Sequence, residues 1–204
     1  MFGSTLKNYR WLVVALLFFA TTINYLDRQL IGLLKPTLES EFQWTETDFA
    51  HIIMAFTAAY AIGLLVFGRL IDVIGTKAGY SLSIIMWSIA GMLHAVAKSV
   101  TGFSIARVGL GLGEAGNFPA AMKAVAEWFP KKERALATGI FNSGTNVGAI
   151  LAPIVVPWIV NHLGWEAAFV IIGAIGFTWL IFWFWLYEIP ARSKRLSKAE
   201  YDYI

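Results

Sequence analysis

The chain has 204 residues, of which 58% are hydrophobic and 14% are charged, and its mean hydropathy is +0.64. A soluble domain would carry about a quarter charged residues, so this composition excludes a soluble protein and indicates an integral membrane protein. The chain has no cysteine, which excludes disulfides, thiolate nucleophiles and cysteine-based metal sites. Its net charge is +3, and basic cytoplasmic loops explain this charge better than nucleic-acid binding does.

The apolar stretches are long enough to cross a bilayer as helices, which takes about 20 residues each. The first of them is too long for a cleavable signal peptide, no small-residue cleavage site follows it, and it is expected to end at Lys35-Pro36. A polar and basic segment, 191–204, comes after the last stretch. We predict an all-α fold of six transmembrane helices, at about residues 10–35, 48–72, 77–97, 101–128, 132–161 and 165–187.

Positively charged side chains are segregated to one side of these six spans. Only Lys35 and Lys98 fall on the other side, next to the acidic segment 39–48. Because cytoplasmic loops are enriched in lysine and arginine, we expect a multi-pass protein of the inner (plasma) membrane with both ends of this chain in the cytoplasm. The side chains on the cytoplasmic side are Lys7, Arg10, Arg69, Lys77, Lys131, Lys132, Arg134, Arg192, Lys194, Arg195 and Lys198.

The first span contains two adjacent charged residues, Asp27 and Arg28, inside an apolar stretch from about residue 11 to 34. Charges at membrane depth are costly unless they are partnered or face a watery cavity, so they point to function. Tyr60 lies midway along the second span, where its hydroxyl group could reach a similar depth. The first span therefore predicts a pathway for a charged solute.

The loop after the second span reads G-R-L-I-D-V-I-G-T-K over residues 68–77. It resembles the G-x-L-x-D-x-x-G-x-K signature of the major facilitator superfamily, and departs from the commonest form at Val73 and Thr76, where basic residues are frequent. The resemblance implies that the aspartate braces a helix of the second half in the outward-open state; the alternative is a short, glycine-bent turn with anchoring charges. The residues of this conformational motif are Gly68, Asp72, Gly75 and Lys77.

The fourth span adds Arg107 and Glu114, which are seven residues apart and therefore lie on nearly one helix face, about 10 Å apart along the axis. Counting about 1.5 Å per residue puts Arg28 and Arg107 roughly 9–12 Å below the periplasmic boundary. Glu114 then lies near the midplane, where transporters bind solute and coupling ion. The glycines of segment 107–116, also a feature of the superfamily's fourth helix, are explained by close helix packing.

The fifth span carries Asn142 and Asn146 but lacks the G-P-x-x-G-G run of drug antiporters. Three histidines, His51, His94 and His162, fall near periplasmic helix ends. Their spacing does not suggest a metal site, so we expect interfacial packing. The sequence also lacks the motifs of serine hydrolases, zinc proteases and phosphate-binding loops, so an enzyme is disfavoured and neither a metal nor a cofactor is expected.

A closer resemblance extends over the whole chain. Segments 24–28, 75–80, 127–134 and 196–200 resemble the anion:cation symporter family and, within it, the bacterial hexuronate transporters. Members of that family have twelve spans, so the resemblance implies the amino-terminal half of a twelve-helix fold, with a missing carboxy-terminal half as its partner. Aldonates, aldarates and aromatic or ureido acids stay open as substrates.

Charge suggests the roles of the buried residues. A guanidinium group matches a carboxylate with two parallel donors, which makes Arg28 the leading substrate binder, as the resemblance also implies. Asp27 and Glu114 are candidate proton carriers, and Arg107 could hold Glu114 ionised in one state and release it in another. The alternative is a static ion cluster that fixes helix packing. Further candidate substrate contacts are Tyr25, Tyr60, Asn142 and Asn146.

The sequence as a whole predicts a secondary transporter that brings a small organic anion, foremost a sugar acid such as a hexuronate, inward with protons by alternating access. Its partners would be the lipid bilayer and the second six-helix half, with the proton as coupling ion. Two alternatives stay open. One is a homodimeric half-transporter, which is topologically possible because the two halves of the superfamily's fold are parallel repeats. The other is a nontransporting membrane scaffold or receptor.

Overall fold

The computed structural model describes residues 8–204, and within this range every regular element is helical. The all-α fold is therefore confirmed, whereas Lys7 lies outside the described residues. Short 3-10 turns, His94–Val96 and Pro190–Arg192, follow the third and seventh helices. The helices are α1 (Tyr9–Phe42), α2 (Glu46–Ile74), α3 (Thr76–Leu93), α4 (Val100–Glu114), α5 (Asn117–Trp128), α6 (Arg134–Leu163), α7 (Trp165–Leu186) and α8 (Lys198–Tyr203).

Five segments of the described range are long and apolar enough to cross a membrane: α1, α2, α3 extended to Val96, α6 and α7. The stretch expected to form the fourth span is divided into α4, of 15 residues, and α5, of 12 residues. At the division the N–H of Gly116 bonds to the carbonyl of Gly113, three residues back, at 3.2 Å. The glycine content of this stretch lowers its helix propensity and accounts for the break. A six-span topology with α4 and α5 as one broken crossing stays a prediction.

Helix α1 does not end at Pro36. Proline removes one backbone hydrogen bond, yet the helix continues to Phe42, and the next residue, Gln43, adopts a left-handed conformation with φ of 55°. Leu34 and Leu38, on either side of the proline, are both buried in the core. Their packing holds the helix together through the proline, so α1 is longer than the sequence suggests.

Close backbone approaches fix the bundle. Helix α1 packs mainly on α6, α2 on α4, and α3 on both α4 and α7. A Cβ atom on Gly148 of α6 would lie 2.5 Å from the carbonyl oxygen of Thr22 in α1, and one on Gly113 of α4 would lie 2.5 Å from the backbone nitrogen of Trp87 in α3. Small residues at these crossings let the helices touch through their backbones, as expected for membrane helices.

The packed interior consists of two apolar clusters with polar residues between them. One cluster surrounds Trp128 and Trp183 near the amino end of α1, and the other surrounds Phe103 and Phe169 near its carboxyl end. Along α1 the buried polar residues Asn24 and Asp27 follow the last residue of the first cluster. Asp27 on α1 and Arg107 on α4, which follows Phe103 of the second cluster and precedes Leu110 of the first, thus lie where the two apolar clusters meet.

The basic segment after α7 is anchored to the bundle rather than simply lying on its surface. The carboxylate of Glu200 in α8 accepts hydrogen bonds from the backbone N–H groups of Tyr9 (2.9 Å) and Arg10 (3.2 Å) and from the guanidinium of Arg10 (3.0 Å). Arg10 also pairs with Glu133 at 3.1 Å, and the Tyr203 hydroxyl donates to Glu133 at 2.6 Å. A carboxylate at a helix amino terminus satisfies N–H groups that have no partner in the helix.

Candidate functional site

Helices α1 and α4 bring two of the sequence-predicted ionisable residues into direct contact. Both Nε and Nη2 of Arg28 lie 2.9 Å from Oε2 of Glu114. The Glu114 side chain is fully buried, whereas 24% of the Arg28 side chain is exposed. Arg28 is therefore the member of the pair that a solute can approach.

Three aromatic rings surround the guanidinium of Arg28. Its central carbon lies 4.5 Å from the ring centre of Tyr60, 5.1 Å from that of Tyr25 and 5.3 Å from that of Phe56. Rings at these distances attract a cation through their π-electrons and keep it from water on those sides. The sequence-predicted tyrosines thus both reach Arg28, and we call Tyr25, Phe56 and Tyr60 the aromatic cup.

Phe56 is a site residue that the sequence reasoning missed. It precedes Tyr60 by one helical turn on α2, and the two rings stack with centres 5.8 Å apart. The spacing of four residues was the available signal, because such residues share a helix face. Phe56 also lies 5.5 Å from the guanidinium carbon of Arg107, so this one ring contacts both arginines of the site.

Asp27 and Arg107 lie behind the Arg28–Glu114 pair, each with only 1% of its surface exposed. Asp27 is acted on electrostatically by both Glu114 and Arg107, which makes the four ionisable residues one charge cluster. Several of its buried polar atoms have no hydrogen-bond partner among residues 8–204: Asp27 Oδ2, Arg107 Nε and Nη2, and Glu114 Oε1. Buried polar atoms usually have a hydrogen-bond partner, so these atoms mark positions where a water molecule or a bound group would complete the hydrogen bonding.

Asn142 and Asn146 are placed differently from the other predicted contacts. Both are exposed on α6, four residues apart, while Gly144 and Gly148 turn the other face of that helix towards α1. In the described part of the chain neither side chain contacts the Arg28–Glu114 pair through a hydrogen bond. Their position on an open helix face leaves them available to a group outside this bundle.

The motif of residues 68–77 forms a tight connection between α2 and α3. Gly75 has φ of +86°, a conformation that side chains disfavour, whereas a Cβ on Gly68 would meet no atom within 4 Å. Lys123 of α5 donates to Oδ1 of Asp72 at 3.1 Å and to the carbonyl of the preceding residue at 2.9 Å. Lys77 pairs with Glu188 at 3.1 Å. Asp72 is thus held within this half by a lysine that the motif does not contain.

The histidines do not share one environment. His51 and His162 are exposed, but His94 is fully buried, so the expectation of interfacial packing is wrong for His94. Between residues 8 and 204 no group of three or more histidine or acidic side chains is arranged to hold a metal ion. The chemistry offered by the site is that of two guanidinium groups, two carboxyl groups and two phenol hydroxyls.

Comparison with known proteins gives one consistent family. Residues 17–201 match the sequence model of the Major Facilitator Superfamily. The chain is 38% identical over 199 residues to a galacturonate transporter of Dickeya chrysanthemi, covering 98% of this chain and 58% of that protein. It is 39% identical over 199 residues to a hexuronate transporter of Escherichia coli (strain K12), covering 98% and 46%.

A solved structure supports the same assignment. A bacterial homologue of the human lysosomal transporter Spinster, in an inward-facing and unoccupied conformation, superimposes with a TM-score of 0.78 at 26% sequence identity. The match covers 94% of this chain and 45% of that structure. This chain therefore spans about half the length of the relatives that it matches.

Proposed function

This chain belongs to the Major Facilitator Superfamily, and we propose that it forms the amino-terminal half of a transporter that imports sugar acids, foremost hexuronates, together with protons. The relatives named for galacturonate and hexuronate transport support the substrate class. We further propose that the missing half closes over the exposed side of Arg28, and that both ends of this chain face the cytoplasm, as its loop charges predict.

One observation carries the substrate assignment: a carboxylate already occupies the donor edge of Arg28. Nε of its guanidinium donates a hydrogen bond to Oε2 of Glu114, and Nη2 lies within ion-pair distance of the same oxygen, so the geometry of this edge suits a carboxylate group. The carboxylate of a sugar acid would use the same donors. The aromatic cup would offer flat apolar faces to the sugar ring and two phenol hydroxyls to its hydroxyl groups.

Competition for Arg28 gives a coupling mechanism. An ionised Glu114 occupies the guanidinium edge, whereas a protonated Glu114 has no charge to hold it there. Substrate carboxylate and ionised Glu114 would therefore exclude one another on Arg28, and a proton on Glu114 would favour substrate binding. Coupling of this kind needs only that one ligand change the affinity for the other, and the effect is reciprocal.

Charge balance supports one proton for each anion. Asp27 and Glu114 offset Arg28 and Arg107 when all four are ionised. Binding one substrate anion while one carboxyl group takes up a proton leaves that total unchanged. An unbalanced charge in the apolar interior would cost several kcal/mol, so the paired event is favoured over binding of the anion alone.

Uptake by the complete transporter in proteoliposomes tests the proposal. With an inward proton gradient, labelled galacturonate should accumulate, unlabelled galacturonate should compete, and a protonophore should abolish accumulation. Uptake of galactonate and of galactarate measures how strictly the transporter selects among sugar acids. Neutral galactose is the matched control because it lacks the carboxylate. Equal uptake of galactose and galacturonate, or accumulation that survives the protonophore, would contradict the proposal.

A further inference from the structure

His94 is a buried ionisable residue that the proposed mechanism does not use. It follows α3 directly, and its side chain is fully buried. Its ring stacks on Phe169 of α7, with centres 4.9 Å apart and an angle of 11°, and meets Phe103 of α4 edge-on at 5.7 Å. Two helices therefore hold the plane of the imidazole ring in a fixed orientation.

The hydrogen bonds of the ring define its tautomer. Nδ1 lies 2.8 Å from the carbonyl oxygen of Ala90 and 3.2 Å from that of Gly91. Carbonyl oxygens only accept hydrogen bonds, so Nδ1 carries the proton, and in the neutral ring Nε2 is an acceptor. Nε2 is buried and has no hydrogen-bond partner among residues 8–204.

Arg107 offers donors that match this acceptor. It lies one turn after Phe103 on α4 and is buried, and its Nε and Nη2 also have no hydrogen-bond partner in the described range. Because His94 contacts Phe103 and residues four apart share a helix face, Arg107 lies on the face of α4 that meets His94. Two positive charges repel strongly in an apolar interior, so a neutral ring that presents an acceptor suits this neighbour.

The same turn of α3 also accommodates Asp27. A Cβ atom on Gly91 would lie 3.1 Å from Oδ1 of Asp27, so the missing side chain gives the carboxylate its room. Residues 90–94 of α3 and its following turn therefore approach the charge cluster from a side that neither α1 nor α4 supplies.

We propose that His94 is a positioning residue for Arg107: its Nε2 accepts a hydrogen bond from the guanidinium through a bridging water. This contact fixes the guanidinium beside Asp27 and Glu114. The inference about structure stands on the geometry of α3 and α4, and its consequence for transport rests on the proposed function. The charged groups that act on Arg107 are Asp27, Arg28 and Glu114.

Nitrogen NMR of the 204-residue chain in bilayers tests the contact without any transport assay. The chain has three histidines, so His94 can be assigned by comparison with a His94→Gln sample. We expect a neutral ring with its proton on Nδ1, and an Nε2 resonance that moves in Arg107→Met while Nδ1 stays in place. Lys131→Met, which removes an exposed cation, is the control and should leave Nε2 unchanged. A proton on Nε2, or an Nε2 resonance indifferent to Arg107→Met, would overturn the inference.

Transport by the complete protein provides the second readout. His94→Phe keeps the ring stacking but lacks the acceptor, and should shift the midpoint of the pH dependence of uptake by about one unit, a tenfold change in proton affinity. His94→Gln supplies an amide oxygen and should shift it less. A wild-type profile in His94→Phe would reject the positioning role. If the unmodified protein carries no sugar acid, the proposed function fails, and the NMR result still decides whether His94 positions Arg107.

Discussion

Arg28 and Glu114 are 86 positions apart in the chain, yet two guanidinium nitrogens of Arg28 converge on a single oxygen of Glu114. The second carboxylate oxygen, Oε1, is buried and has no hydrogen-bond partner among the described residues. A bidentate pair would use both oxygens, as arginine–carboxylate pairs often do. The pair is therefore less strongly bonded than its burial would allow, which is consistent with the opening of this contact that the proposed mechanism requires.

Replacement of Arg28 by lysine tests the guanidinium edge. Arg28→Lys keeps the charge but loses the two parallel donors, so substrate affinity of the complete transporter should fall at least about tenfold, or about 1.4 kcal/mol. The affinity can be measured by titrating galacturonate in a counterflow assay. Arg69→Lys, the same exchange at an exposed position, is the control. Near-normal affinity in Arg28→Lys would remove Arg28 from the binding site.

Replacement of Glu114 by glutamine separates binding from coupling. Glu114→Gln mimics the protonated carboxyl group, so substrate should still bind and exchange across the membrane, and its binding should depend less on pH. Accumulation driven by a proton gradient should be lost, because the residue no longer distinguishes the two protonation states. Gradient-driven uptake at the wild-type level would assign coupling elsewhere, with Asp27 next to be tested. Loss of exchange as well would indicate a structural role or a direct substrate contact.

The crossing of α1 and α6 depends on Gly148. A Cβ there would lie 2.5 Å from the Thr22 carbonyl oxygen and 2.9 Å from Cβ of Tyr25, so Gly148→Ala must push the helices apart. We expect a loss of about 1–3 kcal/mol in stability, measured by denaturation in detergent. Gly139 provides a matched control on the same helix, because a Cβ there meets no atom within 4 Å. Gly139→Ala should be neutral or stabilising, and equal effects of the two changes would contradict the packing argument.

Glu200 ties α8 to the amino end of α1. Only 6% of the surface of Glu200 is exposed. Glu200→Ala removes this buried acceptor and leaves the N–H groups of Tyr9 and Arg10 without their partner. The cost should be about 2 kcal/mol, the range for hydrogen bonds to charged groups. Hydrogen exchange at those two amides should accelerate accordingly. Asp202→Ala, an exposed acidic residue of the same helix, should leave the two amides unchanged.

Acidification should loosen the same region through Glu133. The Tyr203 hydroxyl and, after it, the charge of Arg10 hold the pKa of Glu133 below its usual value. A carboxyl group with a lowered pKa in the folded state stabilises the fold above its unfolded pKa of about 4.3, and this contribution is lost as the pH falls through the lowered folded value. Proteolysis after residue 195 should therefore become faster as the pH falls below about 4.3. Glu133→Gln should lack this step, and an identical pH response in that variant would assign the effect to another group.

The sequence predicts the fold and part of the site for separable reasons. The period and length of the apolar runs identify helices, and depth counted along each helix brings Arg28 and Arg107 to similar levels because helical rise is constant. The count places Glu114 deeper, so the direct Arg28–Glu114 contact is known only from the structure. The same counting cannot foresee that α1 continues through Pro36, since the packing of Leu34 and Leu38 outweighs the lost hydrogen bond. The break between α4 and α5 has a local cause in glycine and could have been predicted.

Contacts between residues far apart in the chain could not be predicted from the sequence. Glu200 caps a helix 190 residues earlier, and Lys123 reaches Asp72 from another helix. Neither contact leaves a periodic pattern, because each depends on how the helices cross. His94 shows the same limit: a position near a helix end predicts the membrane interface, but the stacking of Phe103 and Phe169 encloses it.

The balanced set of two cations and two anions in the interior has a consequence for membrane voltage. A transmembrane potential of 100 mV does about 2.3 kcal/mol of work on each elementary charge that crosses it. If one anion enters with one proton, the loaded and the empty cluster both carry no net charge, so the voltage does no work on either step of the cycle. The driving force is then chemical alone: uptake responds to the pH difference across the membrane and to the substrate gradient, and a cell could depolarise without losing its sugar acid.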